Sequence, residues 1–397
     1  MKFAKRVAKI KPSATLSITA RANALRAEGK DVIGFGAGEP DFDTPLHIKK
    51  AAIDAIEKGF TKYTPVGGTD ELKDTIADKL GRENRLSYRR SEIVVSSGAK
   101  QSLYNIAQVL FDNGDEVIIP APYWVSYPDI VLLANATPVF IYAEKNNGFK
   151  ITARQLEKAI TGKTKALILN SPSNPTGAAY SFSELEELAS VLSRREVVII
   201  SDDIYEKIIY DDFSFSNIAN VSNDMKEKTI VVNGVSKSYA MTGWRIGYAA
   251  GSEEIISQIA KIQSQSTSNP VSISQKAAVE AIRSDQEATR TMVQEFAKRR
   301  SCIVDGLKSI PEITCLKPLG AFYVFPDISS VYGRSYGGRK VEDSTSLSAY
   351  LLDEANVAVV PGVAFGNDNH VRLSYATSME NIEKGIARIK EAFEKLS

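Results

Sequence analysis

Between Glu92 and Val232, short apolar runs alternate with helix-like stretches, and this alternation restricts the fold more than any other feature of the chain. Six runs read as strands: 92–96 (EIVVS), 116–119 (EVII), 137–142 (TPVFIY), 165–169 (KALIL), 197–200 (VVII) and 229–232 (TIVV). They are short, rich in β-branched residues and mostly apolar on both faces, as strands buried between two layers must be. The intervening segments change to a helical period. Residues 100–111 place Leu103, Ile106, Ala107 and Leu110 on one face, and 183–192 reads the same way. Buried strands separated by helices predict an α/β fold, with a mostly parallel sheet covered by helices on both faces.

The C-terminal part reads differently. Residues 287–308 form a long, charged amphipathic pattern. Residues 320–325, 357–360 and 370–374 read as strands of a second, smaller sheet, and 378–396 as a closing helix, which together predict a smaller α+β domain. The first forty residues lead into GFGAGEPDFDTP, too rich in turns to begin a domain alone, and are expected to pack with the C-terminal part. The expected division is therefore 41–285 for the large domain, and 1–40 together with 286–397 for the small one. A chain of 397 residues suits this arrangement.

Composition excludes several functions. The net charge is +1, so no overall field favours nucleic acid or an anionic membrane, and neither is expected as a partner. With only His47 and His370, and only Cys302 and Cys315, no metal site is expected. The N-terminus is basic but lacks an apolar core, and no stretch approaches the roughly 20 apolar residues of a membrane span. These features suggest a cytoplasmic protein with reduced cysteines.

In open α/β sheets, ligands bind beyond the carboxyl ends of the strands. Four polar segments follow predicted strands: 97–100 (SGAK), 170–177 (NSPSNPTG), Asp202 with Tyr205, and 236–238 (SKS). If the strands are parallel, all four lie on one rim. Gly98, Ala99 and Lys100 open a helix whose free N–H groups suit a phosphate, although an ordinary strand-to-helix turn has the same composition. Asp202 could hold a positive ring nitrogen or simply cap a helix. Asn174 could be a turn residue, and a lone lysine such as Lys237 is more often a solvated surface charge.

The segment 234–247 (GVSKSYAMTGWRIG) shifts that balance, because it resembles the lysine-attachment signature of the class I and II aminotransferases. AGEPDFDTP, KYTPVGG, APYWVSYP, NSPSNPTG, SDDIYE and VRLSYATS follow in the family's order, so the resemblance covers essentially the whole chain. It is most similar to the bacterial subgroup of aspartate and aspartate/prephenate aminotransferases. This implies a fold-type I enzyme using pyridoxal 5'-phosphate (PLP) in ping-pong transfer through pyridoxamine phosphate. The implied amino donors are aspartate or glutamate, and the acceptors oxaloacetate or 2-oxoglutarate.

The resemblance also implies residue roles. Lys237 attaches the cofactor and then moves a proton as general base and acid, while Asp202 pairs with the ring nitrogen. Asn174 and Tyr205 bond the phenolic oxygen, and Trp124 stacks on the ring, where an otherwise ordinary core tryptophan could stand. Gly98, Ala99, Ser236 and Arg245 hold the phosphate, joined by Tyr63 from a second copy, which implies a homodimer with shared active sites. Thr267 is a weaker candidate to reach across. Arg372 grips the substrate α-carboxylate, with the backbone of Gly38, which also reads as a turn glycine. Lys100 and Thr15 read the distal carboxylate, and Lys11 could admit prephenate. Asp203 replaces the glutamate of many relatives and is expected to point elsewhere. The Gly-rich stretch 329–343 could close over the substrate or be a surface insertion. Aromatic or kynurenine-type transamination, β-elimination and a non-catalytic PLP-binding regulator are the competing functions.

Overall fold

In a computed structural model, residues 3–10, 12 and 14–397 are described, without the side chains of 14–16. The expectations for Lys11 and for the Thr15 side chain fall outside the described residues.

A two-residue strand, β1 (Ile33–Gly34), precedes the large sheet. That sheet comprises β2 (Ile93–Ser96), β3 (Glu116–Ala121), β4 (Thr137–Tyr142), β5 (Thr164–Asn170), β6 (Val198–Asp202), β7 (Thr229–Gly234) and β8 (Gly247–Ala250). Their order is β2-β8-β7-β6-β5-β3-β4. Strand β8 runs antiparallel to both its neighbours, so β2 to β7 all point one way. Strands β2, β7 and β8 are buried along their whole length, as a sheet covered on both faces requires. Strand β4 stands at the edge, where Pro138 costs no ladder bond on its open side. Local chemistry starts the covering helices: Ser181 caps Phe182–Leu192 in a reciprocal contact with Glu184.

Strand β8 is absent from the sequence reading. Its residues, Gly-Tyr-Ala-Ala, include none of the β-branched types that mark the others. Gly247 carries no side chain because the backbone that opens the helix Ala99–Leu110 passes close by. A Cβ on Gly247 would lie 2.1 Å from the Ala99 nitrogen.

The later strands are β9 (Tyr323–Val324), β10 (Ser335–Tyr336), β11 (Arg339–Lys340), β12 (Val357–Ala358), β13 (Val360–Pro361) and β14 (Val371–Ser374). Here the expected single run 357–360 is corrected. Its first half, β12, pairs in parallel with β1, and only β13 joins the three-stranded sheet β13-β14-β9. The first forty residues thus hydrogen-bond to a C-terminal strand. The core of this part, around Phe296, Phe322 and Phe393, continues into Ile204, Tyr205 and Ile208 just beyond β6. No helix among the described residues is long and apolar enough to cross a membrane.

Residues 329–343 contain the hairpin β10–β11. Ser335 and Ser397 exchange both backbone bonds, at 2.8 and 3.1 Å, and Arg339 meets Asp353 at 2.8 Å. The stretch is fastened to the chain's C-terminus, and none of its residues lines the cleft described below.

Candidate active site

The carboxyl ends of β2, β5, β6 and β7 share one rim, which brings the four polar segments together around a cleft of about 420 Å³. That size suits a small organic ligand. Four cationic side chains line it, Lys100, Lys237, Arg245 and Arg372, against the two anions Glu39 and Asp202. The balance favours a ligand carrying several negative charges.

Lys237 follows β7 and points into the cleft, where its Nζ donates to the Gly38 carbonyl at 2.5 Å. Burial pulls its amine down to about 8; Glu39 opposes that shift, and Arg372 and Arg245 add to it. Asp202 ends β6 and is buried. Its carboxylate accepts from the Tyr127 hydroxyl at 2.6 Å and from the Ile204 N–H at 3.3 Å. Burial pushes its pKa up to about 6, although both bonds and the Lys237 charge act the other way. Neither hydrogen-bond donor brings a positive charge, so the site would be stabilised by a cation on the ligand.

Arg372 lies on β14 and is 2% exposed. It donates to Asn174 Oδ1 at 3.0 Å and to the Gly36 carbonyl at 2.7 Å, while its Nε has no partner. No carboxylate among the described residues pairs with it. A buried, forked cation of this kind suits a carboxylate ligand. Tyr205, also buried, places its hydroxyl 2.8 Å from that of Tyr323.

At the start of the helix Ala99–Leu110, the N–H groups of Ala99 and Lys100 precede the helical ladder, which begins with Gln101 on the Gly98 carbonyl at 3.0 Å. Gly98 holds a φ of +87°, and a Cβ there would lie 2.3 Å from Arg245 Nη2. Arg245 is fixed by the carbonyls of Thr242 (2.8 Å) and Ser97 (3.2 Å). Ala99 and Ser236 complete this corner of the cleft. Together they form an anion cradle. Gly247→Ala should push Ala99 out of place, lowering stability by about 1–3 kcal/mol and weakening anion binding at this corner. Thermal unfolding and a titration with inorganic phosphate check this; unchanged phosphate affinity would show that the cradle tolerates the shift.

Trp124 also lines the cleft, with its ring edge-to-face against Tyr127 at 5.2 Å. Lys100 Nζ lies 4.8 Å from the Trp124 ring centroid. Burial, helped by Arg245, lowers its pKa. Tyr63 is 91% exposed and does not line this chain's cleft. Thr267 accepts from Gln101 at 2.6 Å and also lies outside the lining. Asp203 turns away to Ser201 and Asn217. Tyr127, Tyr323, Glu39 and Thr242 are part of the site without having been singled out by sequence. Tyr127 could have been found, since it lies one helical turn beyond Trp124. Tyr323 sits in a run that reads only as a strand.

A profile of the family described as aminotransferase class I and II matches residues 30–389. The chain is 52% identical to the aspartate/prephenate aminotransferase of Nitrosomonas europaea, over 98% of this chain and 99% of that protein. It is 51% identical to the aspartate aminotransferase of Geobacillus stearothermophilus, over 99% of each. The crystal structure of the aspartate aminotransferase from Rhizobium meliloti superposes with a TM-score of 0.97 at 49% identity, covering 100% of both chains. The residues present fit PLP: an anion cradle for a phosphate, a buried carboxylate with no cationic partner for a protonated ring nitrogen, and an amine of lowered pKa beside them. With fold, site and relatives in agreement, the chain belongs to the class I and II aminotransferases, enzymes that use PLP to move amino groups between amino acids and 2-oxo acids.

Proposed function

We propose that the substrates are a dicarboxylic amino acid, aspartate or glutamate, and a 2-oxo acid, oxaloacetate or 2-oxoglutarate, exchanged in two successive half-reactions. The observation that carries this reading is a pair of cations in one cleft, Arg372 and Lys100, with no acid partner among the described residues. Arg372 takes the α-carboxylate, with the Gly38 backbone beside it. Lys100 takes the distal one, a task also assigned to Thr15. The names of the relatives support the same substrates.

Gly98, Ala99, Ser236 and Arg245 hold the cofactor phosphate, and Trp124 covers the ring. Asp202 pairs with the ring nitrogen and keeps it protonated. Asn174 and Tyr205 hydrogen-bond the phenolic oxygen. When bound, PLP would supply an electron sink for the pair left at the substrate α-carbon. Lys237 carries the proton of that carbon. An amine with a pKa near 8 is partly neutral at physiological pH and can both accept and return it.

We also propose the division into 41–285, and 1–40 with 286–397, supported by the β1–β12 pairing and by the helix that begins at Glu287. The cleft then draws Gly38, Tyr323 and Arg372 from the smaller unit. A homodimer completes the site through Tyr63. The exposed Leu46, Ile53 and Ile56 of the helix Leu46–Glu57 support it, since such apolar residues side by side are costly in water. Two unpaired cysteines suit a cytoplasmic setting.

Adding L-aspartate without an oxo acid should convert the visible band of the lysine-bound cofactor to that of the amine form. A band that ignores aspartate but responds to aromatic or sulfur amino acids would overturn the dicarboxylate reading. Lys100→Ala should raise KM for aspartate by about 10-fold or more, the worth of a charge-assisted hydrogen bond, and leave KM for alanine unchanged.

A further inference from the structure

We infer that Tyr323 is a positioning residue that directs the Tyr205 proton into the cleft and makes it responsive to whatever occupies Arg372. This rests on the proposed contact of Tyr205 with the phenolic oxygen of the cofactor.

Tyr323 lies on β9, paired with β14, where Ser374 is its register partner and Arg372 stands two residues before it. Its side chain is buried and lines the cleft. The Arg372 guanidinium lies 4.6 Å from the centroid of its ring. The ring meets that of Tyr205 edge-to-face, at 5.8 Å and 83°, and the two hydroxyls are 2.8 Å apart. A Cβ on Gly38 would lie 3.5 Å from the Tyr323 hydroxyl oxygen. Tyr323 therefore touches Arg372 and Tyr205 at once, with its hydroxyl facing the Gly38 position.

Two facing phenols share a single proton between them, and each phenol has only one to give. If Tyr205 donates to Tyr323, it has nothing left to donate to a ligand. If Tyr323 donates, the Tyr205 proton is free for the cleft. The charge of Arg372 against Tyr323 decides the direction. It stabilises negative charge on that phenol and makes it the stronger acid, hence the better donor. The same bias appears in the titration behaviour. Burial raises both phenols; Arg372 is the leading influence that pulls Tyr323 back down, whereas for Tyr205, raised well above its ordinary value, Arg372 acts only after burial and Tyr323. A carboxylate bound at Arg372 cancels much of that field and loosens the bias. The hydrogen bond offered by Tyr205 thus weakens when substrate arrives.

A tyrosine that merely fills space would be replaced by phenylalanine without consequence, since the ring and its contacts remain. The test is a pH titration of the absorbance of the lysine-bound cofactor in the holoenzyme, with and without succinate as a non-reacting dicarboxylate. Tyr323→Phe should raise the apparent pKa of that band by about half a unit or more, because Tyr205 loses the bond donated to its oxygen, which polarises its own hydroxyl toward the phenolic oxygen; a fall would mean that Tyr323 had been the acceptor, and would overturn the inference. It should also shrink the difference that succinate makes. In a Tyr205→Phe background the same substitution should do nothing further. If Tyr205→Phe moves the titration and Tyr323→Phe does not, Tyr323 is packing only and the inference is wrong. If Tyr205→Phe leaves the titration unmoved, the contact of Tyr205 with the cofactor is itself mistaken, and the inference fails with it.

Discussion

Replacing Lys237 by alanine is expected to leave a folded protein whose turnover falls by roughly 10⁴-fold, the upper end of what a positioned general acid–base contributes. The cradle at Gly98 and Arg245 and the carboxylate of Asp202 do not depend on the lysine side chain, so PLP should still bind, reversibly. Stopped-flow absorbance with aspartate would check this, and near-normal rates would rule Lys237 out as the proton carrier. A stability effect accompanies it in the cofactor-free protein. The folded amine titrates near 8, against an ordinary 10.5, chiefly because it is buried. Between those values the unfolded chain binds more protons, so stability rises with pH, on the order of 2–3 kcal/mol with some screening by cleft water. Lys237→Met should lack that rise, and its urea midpoints at pH 7 and pH 10 should differ less than those of the parent.

The second large effect is expected for Asp202→Asn, where turnover should fall by about 10³-fold if Asp202 has the proposed role, because a neutral amide would not keep the ring nitrogen protonated. Here too the cofactor-free protein gives an independent readout. The folded carboxyl titrates near 6, against an ordinary 3.8, because burial outweighs the Tyr127 hydroxyl and the Ile204 N–H. A raised acid contributes stability below 3.8 and loses it as pH rises through 6, a cost of about 3 kcal/mol at neutral pH. Asp202→Asn removes that cost. Without cofactor, the variant should gain on the parent between pH 4 and pH 7 in thermal unfolding. With PLP bound the ranking should reverse, since the parent carboxylate then meets a cation. A variant that fails to gain without cofactor would mean that the buried carboxylate is already balanced.

The sequence reading located the strands that feed the site because β5, β6 and β7 are buried on both faces and carry continuous apolar runs. It missed β8, which has no β-branched residue and whose Gly247 answers to the close passage of Ala99 rather than to any strand preference. It read 357–360 as one strand, because apolar continuity says nothing about where a chain changes partner. The stretch 329–343 was open to two readings, and the Ser335–Ser397 pairing that fastens it joins residues with no local signal.

The sequence alone determined the sheet, its direction, the rim on which the polar segments gather, and the family. These follow from hydrophobic period and from motifs long enough to exclude coincidence. Only the tertiary structure decided which charges stand without partners. Among the described residues Arg372 forms no ion pair because β14 delivers it beside Asn174 and the Gly36 carbonyl, and Asp202 forms none because its hydrogen-bond donors are a tyrosine and a backbone N–H. It also decided that Tyr323 meets Tyr205, a contact across 118 residues of chain. Pairing depends on which elements pack together, and no spacing along the chain encodes it.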